Sequence, residues 1–179
     1  MAIGESTQLR RRYRVKAYDA QLPERFYRDH LRHFPLLTVD IVVTDRSGRF
    51  LLVKRSRENL AWKGVWATPG GRVFRNERIR EAAHRVLLRE TGLGILPEGF
   101  ALRGVQEIIT TKEHGVTMVF ATRANQSKVK WDKSSSSARW FTVADAPRSL
   151  RPEYAAILTI GGVRFEESRA SVARIEPQG

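Results

Sequence analysis

The chain has 179 residues, with 32 lysines and arginines against 19 acidic residues, a formal net charge of +13 and no cysteine. That length suits one domain with a sizeable core. The missing thiols exclude disulfides and zinc–thiolate centres, and no apolar run reaches the roughly 18 residues of a membrane span.

The first residues, MAIGESTQLRRRYR, are polar and basic where a signal peptide would be apolar. A cytoplasmic protein with no membrane partner is the resulting expectation. The basic excess favours anionic partners such as phosphates and nucleotides, and no basic motif interleaved with aromatics points to nucleic acid. Residues 1–21 read as a loosely packed arm, 22–161 as the folded body and 162–179 as a polar, frayed tail. Pro23 starts a short helix over 22–31, and Pro35 stops it. TVDIVVT (38–44) and RFLLVKR (49–55) are two strands, and the DRSG between them predicts a hairpin. GVWATP (64–69) is a third strand, ending at Gly70 and Gly71. From Glu77 to Thr91 the spacing of Ile79, Ala82, Ala83, Val86 and Leu87 makes one apolar helix face, with Gly92 as its stop. Strands follow at 101–110 and 116–122, then a serine loop at 134–137 leading into a short strand, then a closing helix at 152–160. Strands mixed with two or three helices imply an α/β or α+β fold with a mixed sheet.

The chemistry concentrates in residues 69–93, PGGRVFRNERIREAAHRVLLRETGL. Paired glycines between a strand and a helix let the backbone approach a ligand closely. Gly71, Glu77, Arg85, Leu87, Glu90, Gly92 and Leu93 stand at the spacing of the Nudix box. In this respect the segment resembles the Nudix hydrolase superfamily, and the resemblance implies an α/β/α sandwich around a mixed β-sheet. The family places glutamates at the positions matching 86, 89 and 90, a wedge of roughly 100° on one helix face, where hard oxygen ligands hold magnesium against a diphosphate. This chain has Val86, Arg89 and Glu90 there. An arginine at 89 would set a fixed cation about where the family holds its ion.

A reduced box of this kind is similar to that of the GDP-mannose mannosyl hydrolases, and FPLLTVDIVV, SGRFLLVKR, GVWATPGGRV and ARWFTVADA extend the likeness over residues 22–160. That branch implies water attack on the sugar's anomeric carbon, with release of a nucleoside diphosphate. The resemblance implies the Gly70 carbonyl and the Glu90 carboxylate as ligands of a weakly held magnesium or manganese ion. It implies Arg55 and Arg72 on the diphosphate, as planar bidentate donors, with Arg72 counted among the catalytic residues. Asp40 would face the sugar, where a carboxylate stabilises oxocarbenium charge. Arg85 would sit near the diphosphate or pair within the helix, and Arg89 joins the substrate-binding set. A homodimer also follows from the resemblance, and residues 1–35 could embrace the second subunit.

The Gln-His pair of that branch falls on Ser134 and Ser135 here, and a hydroxyl is no general base near neutrality. His114 or Glu113 are the candidate replacements. Alternative readings of the same residues are structural. Glu77 and Arg85 would brace the loop on the helix, Glu81 and Arg85 would form an i,i+4 pair, Glu90 would pair with a neighbouring arginine, and Arg55 and Arg72 would be surface charge. Asp40, inside an apolar strand, needs a partner in either case. Two functions remain open: a magnesium-dependent hydrolase of nucleoside diphosphate sugars, or a catalytically impaired module that binds such a nucleotide in a regulatory role.

Overall fold

The computed structural model describes residues 24–56, 63–110, 114–125 and 128–165. The arm, Glu113 and residues 166–179 lie outside the described residues. The elements run α1 (Glu24–His33), β1 (Leu36–Thr44), β2 (Phe50–Arg55), β3 (Trp66–Ala67), β4 (Gly70–Arg72), α2 (Ile79–Thr91), a 3-10 turn (Pro97–Gly99), β5 (Ala101–Ile109), β6 (His114–Arg123), β7 (Ser135–Phe141) and α3 (Pro152–Ile160). No helix among the described residues is long and apolar enough to cross a membrane.

One mixed sheet of seven strands results, ordered β3-β2-β1-β6-β5, with β4 added to β1 and β7 added to β2. β1 is the hub. It pairs parallel with β6 from Leu36↔Gly115 to Thr44↔Arg123 and antiparallel with β4, at Thr38↔Arg72, Val39↔Gly71 and Asp40↔Gly70. Residues on alternate sides of β1 feed two cores. Val39, Ile41 and Val43 pack with Ala82, Ala83, Val86 and Leu87 of α2; Val42 packs with Ile157 and Leu158 of α3. Helices thus cover both faces, as the α/β/α expectation requires.

The structure corrects four local expectations. The turn after β1 forms, with the Asp45 carboxylate accepting the Ser47 and Arg49 amides at 2.9 Å each. The two strands nevertheless pair only at Thr44↔Phe50, because β4 takes the edge of β1 that a full hairpin would have used. β2 pairs instead with β7, from Phe50↔Phe141 to Arg55↔Ser135. The serine run therefore belongs largely to a strand, since a long-range partner overrides the weak strand propensity of serine. The strand predicted at 64–69 breaks in two at Thr68–Pro69, and the double glycine becomes β4 rather than the end of β3. The expected tail is packed at its beginning: Val163 is buried, and the Phe165 ring lies 6.1 Å from that of Phe50.

Gly161 closes α3 directly against Val42 of β1, and a side chain there would overlap the valine. Gly161→Ala is expected to cost about 2 kcal/mol, read as a lower urea midpoint with an unchanged slope.

Candidate functional site

Burial of Ala82, Ala83, Val86 and Leu87 fixes the rotation of α2, and Gly92 (φ 70°) ends it by donating its N–H to the Leu88 carbonyl. Glu90, one turn from that end, is thereby turned inward and left only 7% exposed. Its Oε2 accepts the N–H of Gly70 at 3.2 Å, and its Oε1 accepts Nη2 of Arg89 at 2.9 Å. Burial pushes the Glu90 carboxyl up to about 6, against the opposing pull of Arg89, the Gly70 N–H and Arg55. The Gly70 atom that meets Glu90 is thus its N–H.

The two glycines of β4 make this closeness possible on both sides. A Cβ on Gly71 would lie 3.1 Å from Val86 and 3.7 Å from Nη2 of Arg89. A Cβ on Gly70 would lie 2.5 Å from Oδ1 of Asp40. Asp40, partnered with Gly70 across β1 and β4, accepts the Thr68 hydroxyl at 2.6 Å and the Thr117 hydroxyl at 2.7 Å. Burial also raises its carboxyl to about 6, with the two threonines and then Arg55 working the other way. Two buried carboxylates therefore flank one glycine residue, and Arg55 acts electrostatically on both. Nε of Arg55 is itself buried and makes no hydrogen bond among the described residues, an unmet donor of the kind a ligand oxygen satisfies.

The other expected residues divide. Arg85 donates from Nε to Glu77 at 2.6 Å and from Nη2 to Glu77 and to the Arg72 carbonyl, both at 2.8 Å. Its guanidinium also lies 4.0 Å from the Phe74 ring centroid. That geometry favours the bracing role over a place on the diphosphate. Glu81 is not Arg85's partner; it accepts the Arg78 N–H at 3.3 Å. Arg72 ends β4, half-buried, beside the double glycine. His84 meets the Ile95 carbonyl at 2.6 Å, and His114 meets Glu107 at 2.9 Å across the β5–β6 pair.

Asp132, Thr68 and Thr117 are the members that sequence reasoning missed. Asp132 accepts the amide of Ser134 at 2.9 Å, is bonded also by the Ser134 hydroxyl, and stands 3.7 Å from Nε of Arg89. An aspartate two residues before a serine, as in WDKS, was the available signal for that turn. Its meeting with Arg89 had none.

The donors present do not fit a magnesium ion held by the protein alone. Such an ion needs near-octahedral oxygen ligation, whereas both oxygens of Glu90 already accept N–H donors and one of those donors is a cation. Val86 is fully buried in the core. Among the described residues, no group of three histidine, aspartate or glutamate side chains is placed to hold a metal.

The family model of the NUDIX domain matches residues 35–159, and the chain belongs to that family. The low-salt glycan biosynthesis protein Agl8 of Haloferax volcanii is 33% identical over 78 residues, 44% of this chain and 48% of that protein. The ADP-ribose pyrophosphatase of Methanocaldococcus jannaschii is 30% identical over 116 residues, 64% and 66% respectively. The match thus spans about half of the first relative's length and just under two thirds of the second's. The crystal structure of a MutT NUDIX hydrolase from Burkholderia pseudomallei superposes with a TM-score of 0.61 at 27% identity, covering 70% of this chain and 96% of that one.

Two outcomes follow from the geometry. The folded chain keeps a proton on Asp40 up to about pH 6, whereas an unperturbed aspartate releases it near 3.8. Its contribution to stability is complete below about pH 4 and is lost as pH rises through about 6. Asp40→Asn cannot ionise, so from about pH 4 to 7.5 its stability should rise relative to wild type, by up to about 3 kcal/mol. Paired urea titrations check this, and a difference that is flat with pH would mean that Asp40 titrates normally. Arg85→Ala strands the largely buried Glu77 and should cost about 3 kcal/mol, seen in the same titrations.

Proposed function

We propose that this NUDIX domain acts on nucleoside diphosphate sugars, hydrolysing them at the anomeric carbon in the manner of the GDP-mannose mannosyl hydrolases that its sequence resembles. The observation that carries the reading is the pair of buried carboxylates around Gly70 with the unmet Nε of Arg55 between their fields. Arg55, together with Arg72 at the end of β4, supplies fixed cations for a diphosphate leaving group. Asp40 faces the sugar as a carboxylate whose pKa of about 6 leaves it mostly ionised at neutrality. In the reaction a water oxygen bonds to the anomeric carbon and releases a proton to solvent, the bond from that carbon to the diphosphate breaks, and its electron pair leaves with the nucleoside diphosphate. No step is assigned to magnesium, for the reason of donor geometry given above. Two relatives, a glycan biosynthesis protein and an ADP-ribose pyrophosphatase, agree with a sugar-linked nucleotide as the ligand class.

A second reading has its own observation. Glu90 is already neutralised by Arg89, and the position matched to a catalytic histidine is a strand serine. These favour a domain that binds the same ligand without turning it over.

Incubation with GDP-mannose, other nucleoside diphosphate sugars and ADP-ribose, followed by separation of products, distinguishes the readings. Nucleoside diphosphate plus free sugar is the expected outcome, with kcat/KM rising through about pH 6 as Asp40 ionises. A nucleoside monophosphate plus a sugar phosphate would place the attack at phosphorus. Binding without any product would establish the second reading.

A further inference from the structure

The Nudix spacing reserves one face of α2 for a divalent cation, and this chain fills that face with a side-chain cation. We infer that the Arg89 guanidinium, anchored by Glu90 and Asp132, replaces the metal ion as the cation that meets the ligand's diphosphate, so that nucleotide binding here needs no divalent metal. The inference rests on the reading of this site as one for a nucleoside diphosphate.

Four observations carry it. Arg89 occupies a position where the box has a carboxylate, and its Nη2 is hydrogen-bonded to Oε1 of Glu90, the remaining box carboxylate on that face. The same Nη2 stands 3.7 Å from the place of a Gly71 Cβ. The charge therefore sits over the double glycine of β4 rather than out in solvent. From the other side, Asp132 approaches Nε of Arg89 to 3.7 Å. Asp132 is itself fixed by the turn through Ser134, whose carbonyl accepts the Ser56 N–H at the end of β2. Finally, the Arg89 side chain is 47% exposed while that of Glu90 is 9% exposed. The carboxylate is covered and the guanidinium is presented.

A metal ion and this guanidinium are in direct competition. An ion bound to Oε1 of Glu90 would stand beside a fixed positive charge, a repulsion that a half-buried site screens poorly. Expelling Arg89 would in turn leave a buried carboxylate to be matched by an ion with too few other ligands. A guanidinium has neither difficulty. It is weakly hydrated for a cation, and its planar fork matches two phosphate oxygens at once. One of its five donors is hydrogen-bonded to Glu90 and Nε lies toward Asp132, which leaves the remaining Nη donors for an incoming anion. Arg55, with its unmet Nε, completes a cationic pair from the end of β2.

Calorimetric titration of the full chain with GDP, ADP and inorganic pyrophosphate, in excess magnesium and in chelator, tests this. Wild type should bind with the same affinity within about threefold in both solutions. Arg89→Ala should weaken binding about tenfold or more in chelator, and Arg89→Lys, which keeps the charge and loses the fork, should fall between. Arg80→Ala, which removes an exposed arginine from the first turn of the same helix, should change affinity by less than about twofold and controls for net charge. Arg89→Glu restores a box carboxylate and should bind only when magnesium is present. Loss of about tenfold or more in wild type on chelation would overturn the inference and leave the diphosphate reading standing. Unaltered affinity in Arg89→Ala would do the same. Failure of wild type to bind any of the three probes in either solution would overturn both. The wild-type comparison decides the matter even if a substitution prevents folding.

Discussion

The hydrogen bond from the Gly70 amide to Glu90 joins the last turn of α2 to the edge of β1, and the candidate site is organised around it. It can form only because β4 is nearly bare. Gly70 leaves room for Asp40 on one side, and Gly71 leaves room for Val86 and Arg89 on the other. A three-residue strand thereby brings a helix carboxylate, a strand carboxylate and two arginines to one place. Rigid backbone rather than side-chain reach sets these distances, which is the arrangement that holds a charged site in register.

Keeping two carboxylates that deep has an energetic consequence. Burial raises both to about 6, so each is costly to ionise. The fold lowers that cost in different ways. Asp40 receives two threonine hydroxyls, one from the break between β3 and β4 and one from β6, a neutral cradle. Glu90 receives one backbone amide and one guanidinium, an ionic cradle. In the usual box a metal ion would carry the charge balance at that second position. Here the neighbouring residue of the helix carries it, with Asp132 behind.

Arg85 and Arg89 show how one helix separates structural from functional charge. Four residues apart, they stand on adjacent turns. Arg85 is enclosed by Glu77, the Arg72 carbonyl and the Phe74 ring, and so ties the end of β4 and the loop after it to the helix. Arg89 is held by Glu90 at Nη2 and approached by Asp132 at Nε, and its side chain stays half exposed.

Much of this was legible in the sequence. The spacing from Gly71 to Leu93 determined the family and the helix, because apolar periodicity and a terminal glycine are local properties. An aspartate in TVDIVV announced a buried carboxylate needing partners. What only tertiary structure decided was which charge meets which. Thr68 and Thr117 reach Asp40 from 28 and 77 residues away. Asp132 reaches Arg89 from a turn in a different part of the chain, and the serine run becomes a strand because β2 lies open beside it. Local pattern encodes the direction in which a side chain leaves its own element. The partner it finds depends on how distant elements pack, and burial then sets the charge that the partner must balance.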